Sequence, residues 1–325
     1  MAACPRLRNS RHPRQQTVKP TQDIASRIKT QAQSLGFDAC GFAVAEPVDD
    51  VAREQYRQWL TDGRQGCMAW AERYCDLRDN PQLLLEDART VVMLAMNYYP
   101  ARLQPADALQ FAYYAYGRDY HEVLRERMGQ LALMIEAETG CQSRCCVDTA
   151  PLRERYWAQR AGLGFVGLNN HLIIPGKGSY FFLGALITTL ELPPDEPCRE
   201  SCGECLACIE TCPGQALGFD RPVDARRCLS CLTIECRGEL PDWVRGVLGR
   251  RVYGCDECQR SCPHNQNAVP TTITDFQPSE EFLSLKAADL RSMTPSRFKH
   301  LFGHSAVRRA RLSGLLRNMK YMSED

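Results

Sequence analysis

The stretch Cys202-Gly203-Glu204-Cys205-Leu206-Ala207-Cys208-Ile209-Glu210-Thr211-Cys212-Pro213 decides how this chain is read. It is a Cys-x2-Cys-x2-Cys-x3-Cys-Pro run. A degenerate second copy follows, Cys228 alone and then Cys255-x2-Cys258-x3-Cys262-Pro263. Three thiolates at this spacing wrap three corners of one cubane, because a tight loop turns their side chains inward. The fourth, next to proline, is carried away by the chain and ligates the other cluster. That exchange assigns Cys202, Cys205, Cys208 and Cys262 to one [4Fe–4S] cluster, and Cys212, Cys228, Cys255 and Cys258 to a second. The second set departs from the simple ferredoxin repeat, since Cys228 stands far upstream of Cys255. Structural zinc also uses paired Cys-x2-Cys, but it needs neither a crossed fourth ligand nor Cys-Pro. Cys198, Cys231 and Cys236 lie nearby, as alternate ligands or as buried thiols. Cys40, Cys67, Cys75, Cys141, Cys145 and Cys146 are scattered and read as buried thiols.

Eighteen cysteines in 325 residues is a high count. With no apolar signal core near the N-terminus, tight Cys-x2-Cys groups read as metal binding in a reducing compartment rather than as disulfides. The expected location is the cytoplasm. No apolar run is long enough to cross a bilayer as a helix, so no membrane is expected among the partners. The first acidic residue is Asp23, preceded by Arg6, Arg8, Arg11, Arg14 and Lys19, so residues 1–22 read as a disordered basic arm. The formal charge is only +1, yet Arg297 to Lys320 holds seven Lys or Arg and no acid. Such asymmetry suits a polyanionic partner.

Upstream of the cysteines, helical and strand patterns alternate. Helices are expected over 21–35, 51–60, 120–138 and 151–161, the last opened by Pro151. Strands are expected over 38–44, 143–147 and 90–98. The last is a continuous apolar run (TVVMLAMNY) of the kind buried on both faces. The runs 171–175 and 180–190 around Gly176-Lys177-Gly178-Ser179 predict a hairpin. Pro193, Pro194 and Pro197 mark a boundary. Beyond about residue 270 the pattern is helical again, with Thr294-Pro295 as N-cap and first helical position, and Ser305 capping a last helix to about Met322. Two clusters sharing crossed ligands conduct single electrons. A module of that kind on a domain of about 190 residues implies a bound cofactor in that domain to receive them.

Several blocks together resemble the epoxyqueuosine reductase family. They are Val147-Asp148-Thr149-Ala150-Pro151, Arg160-Ala161-Gly162-Leu163-Gly164-Phe165-Val166-Gly167 and Gly178-Ser179-Tyr180-Phe181-Phe182-Leu183-Gly184. Asp224-Ala225-Arg226-Arg227-Cys228 and Arg251-Val252-Tyr253-Gly254-Cys255-Asp256-Glu257-Cys258 continue the series. The resemblance runs in order from about residue 23 to 320. It implies an α+β fold with a nitroreductase-like cobalamin-binding catalytic domain over 23–195. A ferredoxin-like domain with two [4Fe–4S] clusters would follow over 196–270, then a short helical basic segment over 271–325. It implies an oxidoreductase that removes the epoxide oxygen of epoxyqueuosine in a tRNA anticodon loop, the last step of queuosine biosynthesis. The electrons would come from an external low-potential donor and pass through the clusters to the cobalt. A monomer is expected. The alternative is a reductive dehalogenase-like corrinoid reductase of a small molecule.

The resemblance makes Asp148 the proton donor, for which a raised pKa in a desolvated setting is expected. Its bland reading is the N-cap of the helix at Pro151. Tyr116, His121, Asp148, Arg155, Ser230, Cys255 and Asp256 are the implied cobalamin contacts. Tyr116 and His121 belong to a family-like stretch with Gly117, Asp119 and Tyr120, which also reads as a loop and helix start with Asp119 as cap. Arg155 and Arg160 read equally as a solvated helix face. Arg160, with Arg308, Arg309 and Arg311, is assigned to RNA phosphates, and Arg317 and Lys320 lie in the same basic run. The family usually carries an aromatic where Cys231 stands, so Cys231 is not counted as a ligand. Many members continue into a helical repeat domain that helps hold the tRNA. This sequence stops at Asp325, soon after that region would begin, so the resemblance carries over the chemistry but not the tRNA contact surface.

Overall fold

The computed structural model describes residues 22–219 and 222–322. The expected basic arm lies, but for Gln22, outside the described residues, as does Thr21. Helix α1 (Gln22–Ser34) leads into strand β1 (Ala39–Val44), helix α2 (Asp50–Thr61) and the short helix α3 (Cys75–Asp79). Strand β2 (Thr90–Asn97), strand β3 (Gln110–Phe111), helix α4 (Tyr120–Thr139), strand β4 (Ser143–Cys146) and helix α5 (Glu154–Arg160) follow. Strands β5 (Phe165–Val166), β6 (Leu172–Ile173) and β7 (Phe181–Thr188) complete this half.

The main sheet has the order β1-β2-β7-β4, antiparallel throughout. Strand β2 is central, and its alternation explains the unbroken apolar run. Val92, Leu94 and Met96 face a core with Ile28 of α1 and Leu124, Met128 and Leu131 of α4. Val91, Met93 and Ala95 face Trp157 and Ala158 of α5 on the other side. Every position of β2 but its last, Asn97, is therefore buried, as a sheet covered on both faces requires. Close approach is secured where side chains are smallest. A Cβ on Gly184 would lie 2.5 Å from Met128 Sδ, and one on Gly41 would lie 2.0 Å from the Ala161 carbonyl oxygen.

The expected hairpin is corrected in part. The chain does turn tightly at Ile174–Gly178, which form an antiparallel bridge. However, β6 pairs with β5, while β7 joins the main sheet between β2 and β4. The reason is packing: β7 is long and apolar enough to fill a central position, and a two-residue β6 is not. The helix expected from Pro151 begins only at Glu154, because residues 147–152 form a turn closed by Ala150 N to Val147 O and Leu152 N to Ala150 O.

The cysteine region carries helices α6 (Ala207–Glu210), α7 (Leu229–Ile234) and α8 (Glu257–Arg260) with strand β8 (Arg251–Tyr253). Strand β8 pairs in parallel with β3, so this region is tied into the first half by its backbone. A buried polar knot does the same. Asn265 Oδ1 accepts from Ser179 N at 2.7 Å, and its amide donates to Ser179 Oγ and Gln259 O. Helices α9 (Glu280–Leu283), α10 (Ala287–Arg291), α11 (Pro295–Phe302) and α12 (Arg311–Met319) close the chain. Thr294 caps α11 as expected, and Ser305 caps a 3-10 turn, Ala306–Arg309, ahead of α12.

Candidate active site

Cys202, Cys205, Cys208 and Cys262 line one cavity of about 80 Å3, together with Asn169, Ile173, Pro263 and His264. This is the crossed set expected from the spacing, now brought together in space. A cavity several times what one water needs suits an inorganic cluster. Four thiols set around a cavity of this size, the fourth crossed over from the second Cys-Pro, fit a cubane better than tetrahedral zinc. Burial pushes the Cys208 thiol up to about 11, helped by the neighbouring Cys202, Cys262 and Cys205. Burial likewise holds Cys258 well above the ordinary thiol range, helped by Cys255, Cys228 and Cys212. The two electrostatic neighbourhoods coincide with the two expected sets. Four thiolates packed this way repel one another until a cation compensates them. Backbone amides already point at several sulfurs, including Leu168 N at Cys202 and Ala216 N at Cys212.

Asp148 sits on the turn between β4 and α5 with φ of +40°. It does not cap a helix: α5 starts six residues later and has no side-chain cap. Its Oδ2 lies 3.1 Å from His121 Nε2, and His121 Nδ1 lies 2.7 Å from Asp119 Oδ1. Asp119 also caps α4 through the His121 amide. Burial opposes charge on His121, but its two carboxylate partners outweigh it and hold the imidazole up to about 9. Burial raises Asp148, yet the hydrogen bond and charge of His121 and a hydrogen bond from Tyr120 outweigh it. The net direction is below the ordinary carboxyl value. The expectation of a raised pKa at Asp148 is therefore corrected: an imidazolium partner 27 positions away in sequence reverses its sign. The raised carboxyls are Glu154, up to about 8, and Asp256, up to about 7, both chiefly by burial.

The other expected contacts divide. Cys255 and Asp256 line a second cavity of about 380 Å3, with Gln104, Tyr113, Arg250, Arg251 and Arg260. The Asp256 carboxylate accepts from Tyr113 N. Tyr116 is buried in the aromatic core, and its hydroxyl accepts from Gln104 N. It stands behind the cavity wall and does not line it. Ser230 lies in the first turn of α7, where its amide and that of Cys231 reach the Cys228 sulfur. Arg155 donates to Asn170 O, and Arg160 pairs with Glu46. Arg308 pairs with Asp119, Arg309 with Glu235, and Arg311 is exposed. Arg317 is corrected. It is buried and caps α7 through the carbonyls of Leu232, Thr233, Cys236 and Gly238, so it presents nothing to a phosphate. Cys67 and Cys236 are also corrected: they are joined as a disulfide.

Several known proteins similar to this chain are epoxyqueuosine reductases. An epoxyqueuosine reductase from Leadbetterella byssophila is 38% identical over 304 residues, which is 93% of this chain and 99% of that protein. The Escherichia coli epoxyqueuosine reductase is 37% identical over 303 residues, 91% of this chain and 79% of that protein. This chain belongs to the epoxyqueuosine reductase family. The family model described as epoxyqueuosine reductase QueG, DUF1730, matches residues 78–149, and a 4Fe-4S double cluster binding domain matches residues 201–265. An epoxyqueuosine reductase crystallised with a tRNA-Tyr epoxyqueuosine-modified stem loop superposes with a TM-score of 0.83 at 31% identity. The match covers 92% of this chain and 80% of that one. A Bacillus subtilis epoxyqueuosine reductase with its catalytic aspartate loop swung out of the active site gives 0.85 at 30% identity, over the same shares.

As an epoxyqueuosine reductase, the chain is an oxidoreductase with a double-cluster domain. The fit to a corrinoid is partial on this structure's own terms. Cys255 and Asp256 line the larger cavity while His121 and Asp148 do not, and a buried Gln104 amide nitrogen without a partner stands there, beside acidic and basic side chains suited to an amide-rich or phosphate-bearing rim. Sequence reasoning missed Glu154, whose Oε1 accepts from Asp148 N at 2.6 Å. Its six-residue spacing from Asp148 carried no signal, because only the turn at 147–152 brings the two together.

Proposed function

We propose that this chain reduces epoxyqueuosine to queuosine in the anticodon loop of tRNA, in the cytoplasm, as a monomer with an external low-potential electron donor. The observation that carries the reading is the hydrogen-bonded series Asp119–His121–Asp148, ending on a turn, in a chain whose relatives carry that name. Among the described residues no helix is long and apolar enough to cross a membrane. In this reading Cys202, Cys205, Cys208 and Cys262 hold one [4Fe–4S] cluster, and Cys212, Cys228, Cys255 and Cys258 the other. Residues 23–195 form a nitroreductase-like domain, and His121, Asp148, Arg155, Ser230, Cys255 and Asp256 hold cobalamin. Bound cobalamin would supply low-potential electrons at the carbon–oxygen bond.

Opening an epoxide to an alkene takes up two electrons and two protons and releases water. The departing oxygen needs a proton as the bond breaks. At neutral pH the proton sits on His121, and Asp148 is ionised against it. Asp148 thus takes the proton from His121 Nε2 and hands it on to the substrate oxygen. Asp119 keeps the imidazole oriented and compensates its charge. A nucleoside bound against the turn at 147–152 would strip water from the half-exposed Asp148 and favour its protonated form. Arg160, Arg308, Arg309 and Arg311 are the cations we assign to tRNA phosphates.

The test is anaerobic reconstitution with iron, sulfide and cobalamin, followed by assay on tRNA carrying epoxyqueuosine. Asp148→Asn is expected to lower turnover by about 10²-fold or more while cobalamin still binds. Turnover by the reconstituted wild type is the expected result. Its absence, with clusters and cobalamin both loaded, overturns the assignment.

A further inference from the structure

Of the two protons the reaction consumes, the Asp119–His121 pair accounts for one. A second acid stands on the other side of Asp148 and has no part in the account above. Glu154, in the first turn of α5, points its carboxyl back at the turn that carries Asp148, and its Oε1 accepts from the Asp148 amide at 2.6 Å. That amide belongs to a non-glycine residue at φ of +40°, a conformation that needs support from its surroundings. Glu154 acts through the Asp148 turn it contacts, which makes it a positioning residue.

We propose that Glu154 clamps the Asp148 turn and stores the second proton, reloading Asp148 once it has protonated the departing oxygen. The inference rests on the function proposed above. The balance is simple. Asp148, ionised at rest, takes the proton of His121 and passes it to the departing oxygen, then takes the proton of Glu154 and passes it to the resulting hydroxide. Water leaves, Asp148 is again a carboxylate, and solvent reprotonates the neutral His121 and the ionised Glu154.

Charge around Glu154 is arranged to keep a proton there. Burial against the protein is the largest influence and the ionised Asp148 the next, and together they hold the carboxyl up to about 8. Arg155 on the same helix and His121 on α4 oppose them. Tyr120 on α4 and Cys146 on β4 also face the carboxyl and stay neutral at pH 7. Arg309, from the turn before α12, faces the Asp148 end. An ionised Asp148 beside it makes a second negative charge on Glu154 unfavourable. His121 holds Asp148 in its ionised form, so the proton resides on Glu154.

The readout that does not depend on turnover is infrared titration of the purified chain. A protonated-carboxyl band is expected at pH 7 that vanishes as pH rises through about 8, and Glu154→Gln should remove it. Asp256 contributes a band of its own, so the wild-type minus Glu154→Gln difference is the quantity read. In turnover, Glu154→Gln keeps an acceptor for the Asp148 amide and loses only the proton. We expect kcat to fall about 10-fold with KM for tRNA unchanged, and the fall of kcat near pH 8 to disappear. Glu154→Ala also loses the clamp and should fall about 100-fold. A difference spectrum without the band, or a Glu154→Gln pH profile matching the wild type, overturns the proposal. Failure of the wild type on epoxyqueuosine tRNA would sink the function instead, and the infrared difference would still report on the stored proton.

Discussion

At the scale of single residues, the site turns on one histidine between two carboxylates. His121 is raised from its ordinary value to about 9 by Asp119 and Asp148. A group raised in the folded state contributes stability that is complete below its unfolded pKa of 6.5. That contribution is lost as pH rises through about 9. Asp148 is half exposed and Asp119 is not, so solvent screens one of the two pairings. The net contribution is on the order of 1 kcal/mol. We therefore expect wild type to exceed His121→Asn in Tm at pH 6, with the gap closing toward about pH 9.5. A gap that stayed constant with pH would show that the imidazolium is not held by these carboxylates. Asp148 was legible in the sequence because its flanking block is distinctive. The sign of its pKa was not, since it depends on a side chain brought in by α4. Glu154 was invisible for a related reason: a helix expected at Pro151 would have turned it away from Asp148, and only the later start of α5 aims it back.

Among the elements, the cysteine loops were the most legible part of the chain. Ligand spacing acts locally, and each Cys-x2-Cys turn closes on itself whatever lies around it. The crossed assignment needed only the further step that Cys262 and Cys212 are carried across. Pairing between strands far apart in sequence was not legible. The union of β3 with β8, and of β6 with β5, depends on which partner a two-residue strand meets. The ligand assignment makes a separate prediction for each cluster. Cys258→Ala removes a thiol whose electrostatic neighbours are Cys255, Cys228 and Cys212. Iron should fall from about eight to about four per chain, with the remaining cluster held by Cys202, Cys205, Cys208 and Cys262. Full iron content in this variant would reject the assignment. Loss of all iron would point to a fold that fails without its second cluster, and circular dichroism of the apo chain separates that outcome.

Across the whole molecule, the two halves are held by a shared apolar core and by more specific links. One is the β3–β8 ladder, another is the Asn265–Ser179–Gln259 knot, and the third is covalent. Cys67, just beyond α2, is joined to Cys236, just beyond α7, across 169 positions of sequence with Cα atoms 5.2 Å apart. Neither residue stands out in the sequence, because pairing at that separation follows from the packing of α2 against residues 222–226, as when Trp59 donates to the Val223 carbonyl. The bridge sets α7, and with it Cys228, Ser230 and Glu235, against the first half. The Cys67 sulfur belongs to an exposed residue and Cys236 is buried, so an external thiol has one point of attack. A crosslink closing so long a loop restricts the unfolded chain strongly, by up to about 5 kcal/mol in the chain-entropy model. Dithiothreitol treatment, or Cys67→Ser, is therefore expected to lower the Tm of the anaerobically purified chain by about 3–10 °C. Dithiothreitol should lower the Tm of Cys67→Ser no further. Alkylation before and after reduction should differ by two thiols per chain, mapped to Cys67 and Cys236. If both alkylate without prior reduction and Tm is unmoved, the halves are joined by their hydrogen bonds and apolar contacts alone.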